Sequence, residues 1–107
     1  MVFNPQKYLD AQDGRGRYSR DTYATALREI TAGRKLTHWI WYVFPTPKYS
    51  GGTSRNQYFD LGEGQISKNN AIEWIKHPIL GRRLFNITKQ VKRHLDDGKT
   101  IREIFGT

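Results

Sequence analysis

The chain has 107 residues, which fits one domain, and its core must be built largely from rings because 36% of its residues are hydrophobic and 13% are aromatic. It contains no cysteine, which excludes disulfide bonds and thiolate metal sites, and its three scattered histidines do not predict a metal site. Lys and Arg number 18 against 10 Asp and Glu, a formal charge of +8 that favours an anionic partner over a merely solvated basic surface.

No apolar run in the sequence is long enough to cross a membrane, and the N-terminus lacks the apolar region of a signal peptide. We therefore expect a soluble, cytoplasmic protein with no membrane partner. The anionic partner can be a nucleic acid, a phosphorylated small molecule or an acidic protein surface. The basic residues are dispersed, without a polybasic tail, and this argues against a flexible nucleic-acid arm.

The N-terminal part of the chain predicts two helices and one ambiguous segment. Asn4 is typical of an N-cap, and a helix over residues 5–12 follows it. Asp21 can cap a second helix, which runs to about Ala32 and has an apolar stripe at helical spacing. Residues 38–44 are aromatic and β-branched, which favours a strand, but a short buried helix with Thr37 as its cap fits equally well.

Residues 45–65 are rich in glycine and proline and predict a long irregular loop. Loops of this length in small domains are usually lids, binding loops or disordered segments. Three aromatic residues within this loop argue against simple disorder, and residues 56–59 can form a short ordered piece.

The C-terminal part of the chain predicts helices over residues 67–76 and 79–95, and the second of them ends at residues 97–98. Two pairs of residues have the spacing of a capping box: Asn70 with Glu73, and Thr100 with Glu103. For the first of these helices, Ser67 or Asn69 can act as the cap instead.

Four segments of the chain are unusual in sequence: RK at 34–35, THWIWYVFP at 37–45, WIKHPILGRRL at 74–84 and TIREIFG at 100–106. In their order and spacing they resemble a bacterial family of unknown function whose members are often mislabelled calpastatin. The resemblance covers about residues 5–106 and implies a mainly helical fold, in which residues 38–44 are helical. The chain departs from the family at Thr46, where members usually have glutamine, in the spacing of the loop that follows, and in lacking a further element that members carry after EIFG.

We therefore expect a mainly α fold: a single domain over residues 1–107, with about five helices and one long Gly/Pro-rich loop. The lack of the element after EIFG predicts exposed apolar surface and hence a homo-oligomer. The family is also remotely similar to the NADAR (YbiA-like) group, which acts on N-glycosidic bonds of ribosyl compounds. That similarity implies a class of ligand, linked to NAD and ADP-ribose, and nothing more.

A nucleotide-type ligand needs flat rings for its base and charged donors for its phosphates, and the segments around the loop supply both. The predicted ligand-binding residues are Arg34, Lys35, His38, Trp39, Trp41, Phe44, Lys48, Tyr49, Arg55, Tyr58, His77 and Arg82. Additional candidates are Trp74, Arg83 and the backbone N–H groups at helix starts near Thr37 and Pro78.

Each of these candidates also has a structural interpretation. Trp39 and Trp41 are two residues apart and face different ways on a helix, so at most one is expected to line a pocket. His38 can bind ligand or act as an acid or base, but a structural role is equally open. His77 fits a helix boundary, and His94 is expected at the surface.

The first functional hypothesis is a protein that binds and sequesters a phosphate-bearing nucleotide, ADP-ribose-derived or cyclic, as a phage protein that counters nucleotide-signalled defence would. The alternatives are an N-glycosidase or other ADP-ribose-processing hydrolase, and a basic module that binds nucleic acid or protein. Catalysis would need His38 with a glutamate, and the possible acids are Glu29, Glu63 and Glu73. The sequence contains no familiar catalytic motif and predicts no cofactor and no metal.

Overall fold

Seven helices and no strand are found in residues 3–106, the part of the chain that the computed structural model describes. They are α1 (Pro5–Gln12), α2 (Tyr23–Thr31), α3 (Ile40–Val43), α4 (Ser54–Tyr58), α5 (Gly64–Lys76), α6 (Pro78–Asp96) and α7 (Ile101–Phe105). The expectation of a mainly helical fold is therefore confirmed. The short helices α4 and α7 bring the number above the five or so that were expected.

Helices α1 and α2 begin close to the predicted positions, but their caps differ from the prediction. Asn4 is the N-cap of α1, yet its side chain makes no capping hydrogen bond. The N-cap of α2 is Thr22 rather than Asp21, and the Thr22 hydroxyl accepts the backbone N–H three residues later at 3.3 Å. Asp21 instead joins α2 to α3, since its carboxylate accepts the N–H of His38 at 3.0 Å and its carbonyl accepts the Tyr42 hydroxyl at 2.5 Å.

The aromatic segment 38–44 contains the helix α3, so its helical interpretation is confirmed and the strand alternative is wrong. Thr37 does not cap this helix: the N-cap position is Trp39, whose side chain makes no capping bond. Helix α3 packs on α1, where Gln12 Nε2 donates to the carbonyl of Tyr42 at 2.8 Å. Burial of this amide fixes the aromatic segment against the N-terminal helix.

Helices α5 and α6 meet at His77, which serves as the C-cap of one and the N-cap of the other. The Nδ1 atom of His77 accepts the N–H groups of Ile79 and Leu80 at 3.2 and 3.3 Å. The capping box predicted at Asn70 is wrong. Asn70 lies inside α5, where it is buried and its Nδ2 donates to the carbonyl of Leu61 at 2.8 Å. Its amide therefore fixes the end of the loop to α5.

The capping box at the start of α7 is confirmed. Glu103 N donates to the Thr100 hydroxyl at 3.1 Å, and Thr100 N donates to the Glu103 carboxylate at 2.9 Å. His94 was expected at the surface, but it is half-buried and its Nε2 donates to the carbonyl of Ile30 at 2.8 Å. This contact joins α6 to the C-terminal end of α2.

The core is built from rings, as the composition predicts. The Tyr8 ring centre lies 4.6 Å from that of Trp74 and 5.8 Å from that of Phe59, and Tyr42 lies 5.0 Å from Phe59. All four side chains are buried. The radius of gyration is 13.4 Å, close to the value of about 13 Å expected for one compact domain of this length.

At Gly81, helices α5 and α6 approach each other so closely that no side chain fits between them. A Cβ atom added to Gly81 would lie 2.1 Å from the carbonyl oxygen of Ile75. Gly81 is therefore required for the packing of the two longest helices.

Candidate functional site

Three cations and three aromatic rings alternate along one surface, and we call this arrangement the cation–ring row. Its members, in spatial order, are Trp41, Arg55, Tyr18, Arg17, Tyr58 and Lys7. The guanidinium carbon of Arg55 lies 5.9 Å from the centre of the Trp41 ring and 5.4 Å from that of Tyr18. Both distances are within the range of cation–π attraction.

The second half of the row is arranged in the same way. The guanidinium carbon of Arg17 lies 5.3 Å from the centre of the Tyr18 ring and 5.7 Å from that of Tyr58. Lys7 Nζ lies 4.4 Å from the centre of the Tyr58 ring. The two tyrosine rings meet edge to face, with their centres 5.5 Å apart. Each cation of the row is therefore held by rings.

The charge of the row is not neutralised by carboxylates in contact with it. Within the described part of the chain, Lys7, Arg17 and Arg55 form no ion pair. Arg55 Nε is buried and has no hydrogen-bond partner among the described residues. Leaving such a buried donor without a hydrogen bond costs about 1–3 kcal/mol of stability. Burial lowers the pKa of Lys7, and the charge of Asp60 partly opposes this effect.

Tyr18 is held in a backbone conformation that costs energy. Its φ angle is 60°, and it is the only residue other than glycine with a positive φ in the described ranges. The left-handed region costs a side chain of this kind about 1–2 kcal/mol. This conformation sets the Tyr18 ring beside both guanidinium groups of the row. Strain of this kind tends to occur at sites that bind or react.

Helix α4 supplies Arg55 and Tyr58, which are three residues apart and therefore lie on one face. The buried amide of Asn56 fixes this helix to the long loop. Its Oδ1 accepts the N–H of Tyr49 at 3.2 Å, and its Nδ2 donates to the carbonyl of Pro47 at 3.2 Å. The loop is thus ordered by α4, which corresponds to the short ordered piece predicted at 56–59.

Two cavities lie beside α4. The first, which we call the polar pocket, has a volume of about 320 Å³ and is lined by Asn4, Gln6, Lys7, Asp10, Gly16 and Tyr58. The second, which we call the loop groove, has a volume of about 670 Å³. Its lining includes Lys48, Tyr49, Gln57 and Lys68. The polar pocket shares Lys7 and Tyr58 with the cation–ring row, whereas the loop groove has no lining residue in common with the row.

The predicted ligand-binding residues do not share one cavity. Trp41, Arg55 and Tyr58 belong to the cation–ring row, whereas Lys48 and Tyr49 line the loop groove. The remaining seven lie elsewhere: Arg34, Lys35, His38, Trp39, Phe44, His77 and Arg82. The expected convergence of cations and rings on both sides of the loop is therefore limited to three of the twelve residues.

Two of the predicted tryptophans are core residues. Trp39 and Trp74 have no exposed surface, so neither offers a ring face to a ligand. The half-buried Trp41 does, which agrees with the expectation that at most one of Trp39 and Trp41 lines a pocket. Phe44 packs on Trp39 and on Phe105, with ring centres 6.1 and 5.6 Å away.

The predicted cations outside the row and groove lie in separate places. Lys35 Nζ donates to the carbonyl of Thr37 and lies 5.2 Å from the Trp39 ring centre. Arg34 lines a different cavity, near α7, and Arg82 is exposed on α6. Arg83 is neutralised by Asp13 at 3.0 Å.

The helix starts proposed to bind phosphate do not offer free N–H groups in the expected way. At Pro78, the N–H groups that follow are accepted by His77 Nδ1, so this histidine acts as a cap. At Thr37 no helix begins, and its N–H donates to Glu29 at 3.0 Å.

The carboxylate of Glu29 joins α2 to the segment before α3. Its carboxylate accepts the N–H groups of Leu36 and Thr37, the Thr37 hydroxyl and the indole N–H of Trp39, at 2.7 to 3.0 Å. Burial acts to raise the pKa of Glu29, but these hydrogen bonds outweigh it and lower the pKa to about 2. His38, nearby in sequence, is exposed. The pair of His38 with Glu29 is therefore unsuited to acid–base catalysis.

Sequence reasoning missed half of the row: Lys7, Arg17 and Tyr18. Residues 14–20 contain two glycines, three arginines and one tyrosine, a basic stretch with an interleaved ring that could have signalled the site. Its contribution depends on contacts with α4, which is distant in sequence. Within residues 3–106, no three metal-ligating side chains are grouped closely enough to hold a metal ion.

A family model described as a protein of unknown function, DUF1810, matches residues 2–107. The expectation of a family of unknown function is thereby confirmed. No curated protein and no solved structure matches the chain. Among the described residues, no helix is both long enough and apolar enough to span a bilayer.

Proposed function

The chain belongs to the DUF1810 family of proteins of unknown function, and from that premise we propose that it binds and sequesters a phosphate-bearing, nucleotide-type small molecule on the cation–ring row. Candidate ligands are ADP-ribose derivatives and cyclic nucleotides. The observation that carries the proposal is the row itself, in which three cations, none ion-paired within residues 3–106, alternate with three half-buried rings.

The cations of the row suit phosphate. Guanidinium groups form paired, charge-assisted hydrogen bonds with phosphate oxygens. Arg17 and Arg55 are held against the Tyr18 ring, so part of the entropy cost of fixing their side chains is already met in the free protein.

The rings of the row suit a base. Stacking of a nucleobase on an aromatic side chain contributes about 1–3 kcal/mol. Trp41 is the largest ring of the row, and it is half-buried, so part of its surface is open. Its position beside Arg55 allows one ligand to present a base to the ring and a phosphate to the guanidinium group.

Binding without turnover is better supported than hydrolysis. A hydrolase that pairs His38 with Glu29 needs a carboxylate that is free to accept a proton, and the carboxylate of Glu29 already accepts four hydrogen bonds. Sequestration removes a nucleotide signal without destroying it. This is the activity required of a phage protein that counters nucleotide-signalled defence.

Isothermal titration calorimetry with ADP-ribose, NAD and cyclic AMP tests the proposal. We expect at least one of them to bind, and Arg55→Gln and Arg17→Gln to weaken that binding by about 10-fold or more, since a hydrogen bond to a charged group contributes about 1.5–3 kcal/mol. Arg82→Gln is the matched control, because Arg82 is exposed on α6 and outside the row. Chromatography of the bound compound after denaturation should return it intact.

Four outcomes would contradict the proposal. No binding by any of the compounds would refute it, and so would equal effects of the Arg55 and Arg82 substitutions. Recovery of a cleaved compound would favour the hydrolase instead. Binding of single-stranded nucleic acid with a steep dependence on salt, and none of the small molecules, would favour a nucleic-acid module.

A further inference from the structure

The polar pocket continues the cation–ring row at one end. Lys7 and Tyr58 belong to both, so a ligand that lies along the row reaches the pocket at the end opposite Trp41. The volume of about 320 Å³ is at the lower end of the range for small-molecule sites, about 300–1,000 Å³. A pocket of this size accepts a part of a ligand whose remainder lies on the row.

The pocket and the row favour different chemical groups. The pocket contains the Asp10 carboxylate, which disfavours phosphate although Arg15 lies 3.6 Å from it, whereas the row has no carboxylate in contact with it among the described residues. The pocket also contains the amides of Asn4 and Gln6 and the ammonium group of Lys7. These groups provide both donors and acceptors, which is what the hydroxyl groups of a sugar require.

The polar groups of the pocket are partly free to bind. Asn4 occupies the N-cap position of α1, but its amide makes no capping hydrogen bond. Gln6 Nε2 donates to Asp10 at 2.8 Å, which holds the carboxylate in place and leaves the Gln6 carbonyl oxygen as an acceptor. Gly16 forms part of the wall, so no side chain fills the pocket from that side.

From this arrangement we infer that the ligand is a nucleoside diphosphate that carries a second sugar. Its base stacks at Trp41, its two phosphates bind Arg55 and Arg17, and its second sugar lies in the polar pocket. Two phosphates match in number the two guanidinium groups, whose carbons lie 5.4 and 5.3 Å from the centre of the Tyr18 ring. The inference rests on the proposed function and specifies the class of ligand.

Calorimetry with AMP, ADP and ADP-ribose as probes tests this inference on the whole chain. We expect ADP to bind more tightly than AMP, and ADP-ribose to bind about 10-fold more tightly than ADP. Asn4→Ala should reduce the preference for ADP-ribose over ADP by about fivefold, the effect of one hydrogen bond. The same substitution should leave the Kd of ADP unchanged, which also shows that the variant is folded.

Asn86→Ala is the matched control, because Asn86 is an exposed asparagine on α6, outside the row and the pocket. Equal affinity of the wild-type protein for ADP and ADP-ribose would overturn the inference and leave the proposed function intact. An equal loss of both ligands in Asn4→Ala would overturn it as well. If none of the nucleotides binds, the proposed function fails and the inference fails with it.

Discussion

Glu29 is predicted to be the polar side chain on which the fold depends most, and Glu29→Ala tests this. The substitution removes the acceptor of four hydrogen bonds that join α2 to the segment before α3. One of the four donors, the indole N–H of Trp39, is in a residue with no exposed surface and cannot reach water.

The magnitude follows from the exposure of the donors. Leaving the buried Trp39 N–H unpaired costs about 2 kcal/mol. The donors on Leu36 and Thr37 lie nearer the solvent and can be rehydrated, so each contributes about 0.5–1 kcal/mol. The expected loss is about 4 kcal/mol, a large part of the stability of about 5–15 kcal/mol that is typical of a domain. A loss of this size lowers Tm by about 20 °C.

Urea unfolding followed by tryptophan fluorescence measures the effect, since the chain has three tryptophans. Glu63→Ala is the matched control, because Glu63 is an exposed N-cap residue of α5 whose side chain makes no capping bond. Its stability should change by less than about 0.5 kcal/mol. A loss below about 1 kcal/mol in Glu29→Ala would show that the carboxylate does not hold the segment in solution.

Three further predictions concern acid, packing and strain. The pKa of Glu29 is lowered from 4.5 to about 2, so the stabilising effect of its charge is present above pH 4.5 and is lost as the pH falls towards 2. The difference in unfolding free energy between wild type and Glu29→Gln should therefore shrink from pH 4.5 to 2 and stay constant between pH 6 and 8. Gly81→Ala should destabilise the fold by about 2 kcal/mol, because its Cβ would lie 2.1 Å from the carbonyl oxygen of Ile75. Calorimetry should then show a Tm lower by at least 10 °C, and an unchanged Tm would mean that α5 and α6 are farther apart. Tyr18→Gly relieves a backbone cost of about 1–2 kcal/mol but also removes the contacts of the ring with Tyr58 and the two guanidinium groups, so the two effects offset each other and Tm should change little. ADP-ribose binding should weaken by about 10-fold, and unaltered binding would show that the ring does not contribute to the site.

Features that depend on local chemistry were predictable from the sequence. The capping box of Thr100 and Glu103 requires only residues three apart, and the long helix α6 follows from apolar residues at helical spacing. The helical state of residues 38–44 was not decided by local pattern, since nearly every position there is apolar. The resemblance to a helical family supplied that answer.

Features that depend on distant partners were not predictable. Asn70 has the capping-box spacing to Glu73, but it lies inside a helix, where its side-chain amide donates to the carbonyl of Leu61. The Trp39 ring is a candidate for stacking on a nucleobase, but it lies in the core, where its indole N–H donates to the Glu29 carboxylate. The row joins Lys7, residues 17–18, Trp41 and α4, and no sequence pattern specifies that these four regions meet. Half of the candidate site therefore became visible only in the fold.

The amide of Asn56 has a consequence for how the two cavities respond to each other. It holds Tyr49 and Pro47 of the loop to the same short helix that carries Arg55. A molecule that pushes the loop outward must either break both of these bonds or pull α4 along with it. If both bonds hold, any movement of the loop also moves α4 and the guanidinium group of Arg55, so the amide of Asn56 links the larger cavity to the row.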